Sequence, residues 1–236
     1  MHLASLETLP VCPENEIYES LLPLAGAHIL ELGCGGADKT RAIARLGKAA
    51  SITALEVDTI QHAKNLALSD LSEVSFKLGG AEAIDLPDES VDIVLMFKSL
   101  HHVPLDQMDK ALAEIRRVLK PGGLAYISEP VYAGAFNDLL RLFHDEKTVR
   151  EAAFAAERQA VSSGQMELVE QKFFATPISY ETFEQFEERI LRVTHTQHRL
   201  SDTLYTTVRE RFSAHLSPQG AYFETPIRVD LLRKPA

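Results

Sequence analysis

The chain has 236 residues, 45% of them apolar and 25% charged, enough for a globular protein that buries one sizeable core. Its 24 Lys and Arg stand against 34 Asp and Glu, a formal charge of −10 that repels phosphate backbones and anionic lipid and argues against nucleic acid as a partner. Two cysteines, Cys12 and Cys34, exclude a disulfide framework, and no run reaches the roughly 18 apolar residues of a membrane span.

The N-terminus, "MHLASLETLPVCPENE", lacks the basic-then-apolar order of a signal peptide, so a cytoplasmic location is expected. Residues 1–16 read as an arm, because Pro10 and Pro13 interrupt regular elements. "EIYESLLPL" is a short helical pattern with Ile17, Leu21 and Leu22 on one side, completing an N-terminal segment 1–26 ahead of a main domain over 27–236. From Ala27 two periodicities alternate. "HILELG", "SITALEV" and "VSFKLG" read as strands, separated by the helices "ADKTRAIARLG" and "TIQHAKNLAL". "VDIVLMF" is a continuous apolar run, as a strand buried on both faces requires. Leu105, Met108, Leu112, Ile115 and Leu119 recur at helical spacing, "KPGG" stops that helix with Pro121 and Gly122 suited to a type II turn, and "LAYISEP" is a fifth strand. Strands alternating with helices imply a doubly wound α/β fold, a mostly parallel sheet with helices on both faces and ligand sites at the carboxyl ends of its strands.

After Pro130 the rhythm changes. Residues 134–163 form a mostly helical stretch, expected to be a cap over the site, with Phe136, Leu139, Leu140 and Phe143 facing either the core or a lipophilic substrate. "KFFATPIS" reads as a strand, "YETFEQFEERILRV" and "TLYTTVRERFSAHL" as helices. Alternation from Phe223 to Leu231 reads as a last strand whose paired part begins near Ile227, because Pro226 cannot donate to a ladder.

The stretch "ELGCGGADKT" joins the first strand to the first helix. Gly33 and Gly35 let the backbone turn sharply and approach a ligand, while the helix near Ala37 aims amide donors at the same place. A tight connection without a ligand is the plain alternative. A dinucleotide loop needs a third small residue, and Asp38 stands there; a P-loop needs G-K-[ST], which is absent. The pattern therefore suits a cofactor without phosphates, one able to carry positive charge. Glu56 closes the second strand where an acid can take both ribose hydroxyls, with Asp58 as a competitor better placed to cap the next helix.

These residues carry a family resemblance. Glu31 to Ala37 resembles the E/D-x-G-x-G-x-G motif of class I S-adenosylmethionine-dependent methyltransferases, with Ala37 at the third glycine. "GGAEAIDLPDESVDIVLMFKSLHHV" and "RRVLKPGGLAYISEP" resemble the ubiquinone/menaquinone-biosynthesis-like (type 11) branch, so the likeness runs from about residue 28 to 130. It implies a Rossmann-like, seven-stranded sheet and S-adenosylmethionine as cofactor, with S-adenosylhomocysteine as product. It further implies that Gly33, Cys34 and Gly35 pass beside the amino-acid end, that Glu31 holds loop amides or the methionyl ammonium, and that Glu56, with Val57 beside it, binds the ribose. Ala81 and Glu82 would lie along the adenine, and Phe97 with Lys98 would border the cofactor. The position before Ala81, often aspartate in the family, is Gly80, which leaves the adenine to backbone groups or Glu82.

Methyl transfer from a sulfonium is an in-line displacement in which alignment and desolvation do most of the catalysis; a base is needed only for a high-pKa nucleophile. His101 and His102 are the candidate bases, against a role in supporting the loop by hydrogen bonding. Lys98 could anchor a substrate carboxylate or point to solvent; Glu129 is a further candidate, and Tyr18 could fold over the cofactor or simply pack. His195 and His198 lack a third ligand nearby in sequence, so no metal is expected. Cys34 is expected to pack, and "KFFATPISYETFEQF" to be core rather than an aromatic substrate cage. The expected activity is transfer of a methyl group to a small molecule. Two alternatives remain open: a non-catalytic cofactor-binding relative that regulates or scaffolds a partner, and an NAD-dependent oxidoreductase.

Overall fold

The computed structural model describes residues 1–68, 71–192 and 198–236. One sheet organises the chain, in the order β3-β2-β1-β4-β5-β8-β6. Its strands are β1 (His28–Leu32), β2 (Ser51–Glu56), β3 (Val74–Leu78), β4 (Val91–Phe97), β5 (Leu119–Pro130), β6 (Glu167–Tyr180) and β8 (Gly220–Arg233), with the two-residue β7 (Leu216–Ser217) as a hairpin partner of β8. The first five strands pair in parallel, and β8 enters antiparallel between β5 and β6. The expected seven-stranded sheet thus gains a short eighth strand, which the alternation test cannot detect at that length. The strand order turns back between β1 and β4, and the crevice at their carboxyl ends is where a ligand fits.

The parallel strands are apolar on both faces because helices cover both. On one face, α4 (Met108–Val118) and α6 (Lys147–Ser162) bury Leu112, Ile115, Ala153, Ala156 and Ala160 against Leu30, Val94 and Ile127. On the other, α1 (Glu14–Leu21) and α2 (Asp38–Arg45) bury Tyr18, Ile43 and Ala44 against Ile29, Ile93, Leu95 and Tyr126. The third helix of this half, α3 (Thr59–Leu66), is capped by Asp58, whose carboxylate accepts from the amides of Ile60 and Gln61. Among the described residues no helix is long and apolar enough to cross a membrane.

The expected cap over 134–163 is divided. Only its first part, α5 (Ala135–Leu140) with Leu142 and Phe143 just after it, joins the accessory cluster; α6 is a core helix whose alanines let it lie close to the sheet. The accessory cluster is instead completed from the segment between β6 and β8, by α7 (Phe183–Phe186) and α8 (Asp202–Ser213). Phe136, Tyr180, Phe183, Phe186, Phe212 and Phe223 pack there ring against ring, so the second half of the Phe-rich stretch joins a second small core while Phe174 packs in the main one. A helical periodicity marks an apolar face but not the surface that covers it, and that is why the two helices looked alike in sequence.

Pro226 did not delay pairing. β8 pairs with β6 along its length, and Pro226 faces Ala175, whose own N–H and C=O turn away to Pro10 and Cys12 of the arm. The missing donor of Pro226 thus points past the last residue of β5, where only its carbonyl is used, by the amide of Val131.

Candidate functional site

The chain leaves β1 through Gly33, Gly35 and Ala37, all in the left-handed region at φ +72°, +51° and +61°. Glycine adopts this freely, whereas Ala37 gives up roughly 1–2 kcal/mol. Gly33 is also sterically required, since a Cβ there would stand 2.8 Å from the Cβ of Ser99. Gly35 has nothing within 4 Å on its open side, which leaves the loop accessible to a ligand. The amides of Gly33 and Cys34 are anchored on the carbonyl of Leu55, each at 2.9 Å.

Glu56 holds this loop in place. One carboxylate oxygen accepts the Gly35 amide at 2.7 Å; the other accepts from Val57 at 2.9 Å and Asp58 at 2.8 Å. The acid at the end of β2 is therefore buried and preorganised at the crevice, whereas the Val57 side chain is exposed. Glu31, at the end of β1, is buried and accepts from the Thr40 hydroxyl at 2.6 Å. Burial above all, with the charge of Glu14 added, pushes its pKa up to about 7 despite Thr40 and Lys39. A carboxylate kept so close to neutrality by its surroundings is a favourable place for a cationic ligand group. Cys34 is buried between these acids; burial first, then both carboxylates, pushes its thiol to about 12, so it packs and does not react.

Gly80 has a local reason. The carboxylate of Glu82 folds back over it, and a Cβ at Gly80 would meet that carboxylate at 2.4–2.5 Å. Glu82 thus fills the space of the missing side chain, beside buried Ala81. At the end of β4, Phe97 packs against Tyr18 and Tyr126 at 5.7 and 5.5 Å, and the Lys39 ammonium lies over both Tyr18 and Phe97. Tyr18 is buried and packs in the core beside Tyr126. Lys98 follows in a left-handed conformation, φ +55°, with its amide donating to the Ser128 carbonyl at 2.7 Å.

Beyond it, His101 and His102 lie on one helical turn with rings 4.1 Å apart, but their surroundings differ. His101 is buried, its Nδ1 bonded to Glu129 and its Nε2 3.6 Å from Glu146, and Glu129 also accepts the Leu100 amide at 3.0 Å. Burial alone would lower its pKa; the charge of Glu129, that hydrogen bond and Glu146 override this and raise it to about 9. His101 is therefore an imidazolium at neutral pH, with both nitrogens engaged. His102 is exposed. Glu146, which no spacing in the sequence marked, is itself held by Arg150 at 2.5 Å and His144 at 3.0 Å. Among the described residues His101, His102 and Glu146 are the group with metal-like spacing, each offering an atom within 4.8 Å of the others. The Glu129–His101–Glu146–Arg150 chain already matches every charge in it with an opposite one. His198 meets His144 edge-on at 5.0 Å, and His195 lies outside the described residues.

The His101 pKa has a testable consequence. A folded pKa above the unfolded value contributes stability that is complete below about pH 6.5 and is lost as pH rises through about 9. The stability gap between the wild type and His101→Asn, read by urea unfolding, should be larger at pH 6 than at pH 9.5. An equal gap would show that the imidazolium is not the stabilising species.

With this geometry established, the relatives become informative. Residues 30–127 match a sequence family described as a methyltransferase domain. An uncharacterized methyltransferase of Mycobacterium bovis is 34% identical over 108 residues, 46% of this chain and 42% of its own. Methyltransferase GfsG of Streptomyces halstedii is 30% identical over 130 residues, covering 53% and 45% of the two chains. A ubiquinone biosynthesis O-methyltransferase of Xanthomonas oryzae is 34% identical over 112 residues, covering 45% and 44%. The chain thus spans less than half the length of these curated relatives, 42–45%. Among solved structures, YcgJ of Bacillus subtilis superposes with a TM-score of 0.66 at 19% identity, over 94% of this chain and 97% of its own. A putative methyltransferase of Bacillus halodurans gives 0.63 at 18%, over 94% and 98%. These two likenesses extend the fold past the matched segment, through β6 and β8. Residues 30–127 are thus similar to a methyltransferase-domain family, and the chain has the Rossmann-like fold of the solved structures it resembles.

Proposed function

We propose that the protein transfers a methyl group from S-adenosylmethionine to a small molecule. The observation that carries this reading is the pair of buried acids, Glu31 and Glu56, at the ends of neighbouring strands, flanking a left-handed glycine loop with one open side. This donor set fits the cofactor: Glu31 suits its ammonium, Glu56 its ribose hydroxyls, and Ala81 with Glu82 its adenine. When bound, the cofactor supplies a methyl group already activated on a sulfonium. The residues contribute orientation, through the anchored loop, and exclusion of water, through Tyr18 and Phe97.

His102 is the imidazole better suited to take a proton from an acceptor, because His101 is already protonated between two carboxylates. The reading includes a cytoplasmic location, where free thiols such as Cys12 and Cys34 persist, and no nucleic-acid partner, in keeping with the net charge of −10. Asp38 opens α2 where a dinucleotide pyrophosphate would need a small neighbour, which disfavours NAD.

Isothermal titration with S-adenosylmethionine, S-adenosylhomocysteine and NADH tests the reading. Binding of the first two in the micromolar range and none of NADH is expected; the reverse order would overturn it. Methyl release on a panel of small acceptors then separates an enzyme from a non-catalytic relative.

A further inference from the structure

The N-terminal helix brings a carboxylate into the crevice. Glu14, the first residue of α1, is buried, and its oxygens are met by Lys98 at 3.0 Å, by Lys39 at 3.4 Å and by the hydroxyl of Ser128. Every group that satisfies it comes from the sheet and its helices: Lys39 from α2, Lys98 from the end of β4, Ser128 from β5. The cradle therefore belongs to the body of the fold and the anion to the N-terminal segment. That segment is short. Its helix has eight residues and no side-chain cap on Pro13, and the arm before it meets β6 at two places, the bridge Val11–Ala175 and the exposed pair His2–Gln171.

Three features say that the cradle is more than a latch. It lies at the carboxyl ends of β4 and β5, on the same rim as Phe97, Ser99 and His101. Lys98 is held in a left-handed conformation by the bond from its amide to Ser128, a strained backbone of the kind found where a side chain must be aimed. In a chain of net charge −10, Lys39 and Lys98 converge on one point of a crevice whose other charged groups are acids, and that point is where an anion would be held. Both lysine side chains keep about a third of their surface in solvent, 34% and 38%, so an external anion can reach them.

We propose that Lys39, Lys98 and Ser128 form a subsite for a carboxylate on the methyl acceptor, which Glu14 fills until the acceptor displaces it. The exchange replaces one carboxylate with another, so the charge of the crevice does not change and neither lysine is left unpaired. Acceptor selection follows: a molecule without an anionic group cannot displace Glu14, and the helix stays closed over the crevice. The word acceptor rests on the methyl-transfer reading; the carboxylate subsite itself does not.

The test uses the full chain saturated with S-adenosylhomocysteine, with benzoate as the probe carboxylate and benzamide as its neutral counterpart. Glu14→Gln, which removes the internal competitor, should bind benzoate at least tenfold more tightly than the wild type. Lys98→Met should bind it at least tenfold more weakly, and benzamide should respond to neither change. Lys39→Met serves if Lys98→Met does not fold, and retained S-adenosylhomocysteine binding reports folding in each variant. Benzoate affinity that is unmeasurable throughout, or indifferent to Glu14 and the lysines, overturns the subsite. Loss of S-adenosylhomocysteine affinity in Lys98→Met, with 5′-methylthioadenosine affinity preserved, assigns the cradle to the cofactor's own carboxylate and also overturns it. If the wild type binds benzoate but no S-adenosylhomocysteine, the methyl-transfer reading fails and the carboxylate subsite stands.

Discussion

Glu56→Ala should lose S-adenosylmethionine and S-adenosylhomocysteine binding by about 100-fold or more, equivalent to about 2.8 kcal/mol. The wild-type carboxylate does two things in one position. It ties the Gly35, Val57 and Asp58 amides together at 2.7–2.9 Å, and it presents its oxygens at the end of β2, where a ribose would lie. Alanine removes the acceptor proposed for the ribose and leaves the three amides without theirs, so the glycine loop loses a contact that ties it down at Gly35. Glu56→Gln should be intermediate: it keeps the shape and one acceptor, but turns an amide donor toward a backbone N–H. Titration calorimetry beside a thermal melt separates the two contributions. A Glu56→Ala protein that melts like the wild type and binds both ligands as tightly would show that the acid at the end of β2 holds no part of the cofactor.

Arg228→Met should produce the largest loss of stability. Arg228 on β8 is buried, its Nε 2.5 Å from Asp230, its guanidinium 2.7 Å from Glu157 of α6 and stacked 4.4 Å above the Phe154 ring. Asp230 also accepts from Gln171 at 2.6 Å. Burial, then the negative charge of Asp230, pushes the Glu157 carboxyl well above its usual range even beside Arg228. One arginine thus serves two acids, and burial beside Asp230 favours the neutral form of Glu157. Without the guanidinium, two buried acids face each other with no cation, a change that costs about 3–5 kcal/mol. For a protein of this size that corresponds to a melting temperature lower by roughly 6–20 °C. Converting Glu157 and Asp230 to leucine in the same protein should restore most of the loss, because desolvation of the acids, not the missing contact, is the main penalty. A single Arg228→Met variant that melts within a degree or two of the wild type would show that these acids are not buried as described.

The elements between residues 28 and 130 were legible because each is strongly periodic and each boundary carries its own chemistry: glycines after β1, Asp58 capping α3, Gly122 at φ +76° in the stop after α4. The same holds for part of the site. Glu31, Gly33 and Gly35 are spaced by the strand–turn–helix unit itself, and Glu56 joins them through the parallel pairing of β1 with the next strand, so their convergence follows from one β-α-β unit. Past residue 130 this logic weakens. Whether α6 is a cap or a core helix depends on what lies opposite its alanines, and whether Pro226 blocks pairing depends on which side of β8 still has a neighbour.

The sequence by itself determined the doubly wound sheet, the anchored glycine loop and the acids that flank it, because these arise from contacts close along the chain or from a repeating strand–helix rhythm. Only the tertiary structure decided that Glu14 sits on Lys39, Lys98 and Ser128, that His101 is locked between Glu129 and Glu146 while His102 is exposed, and that Glu157, Arg228 and Asp230 form one buried triad. Most of these contacts join residues that lie far apart in the sequence, in elements that meet only when the sheet closes. Their charges are tolerable in the interior because partners arrive from other strands and helices, and no local pattern encodes that arrival.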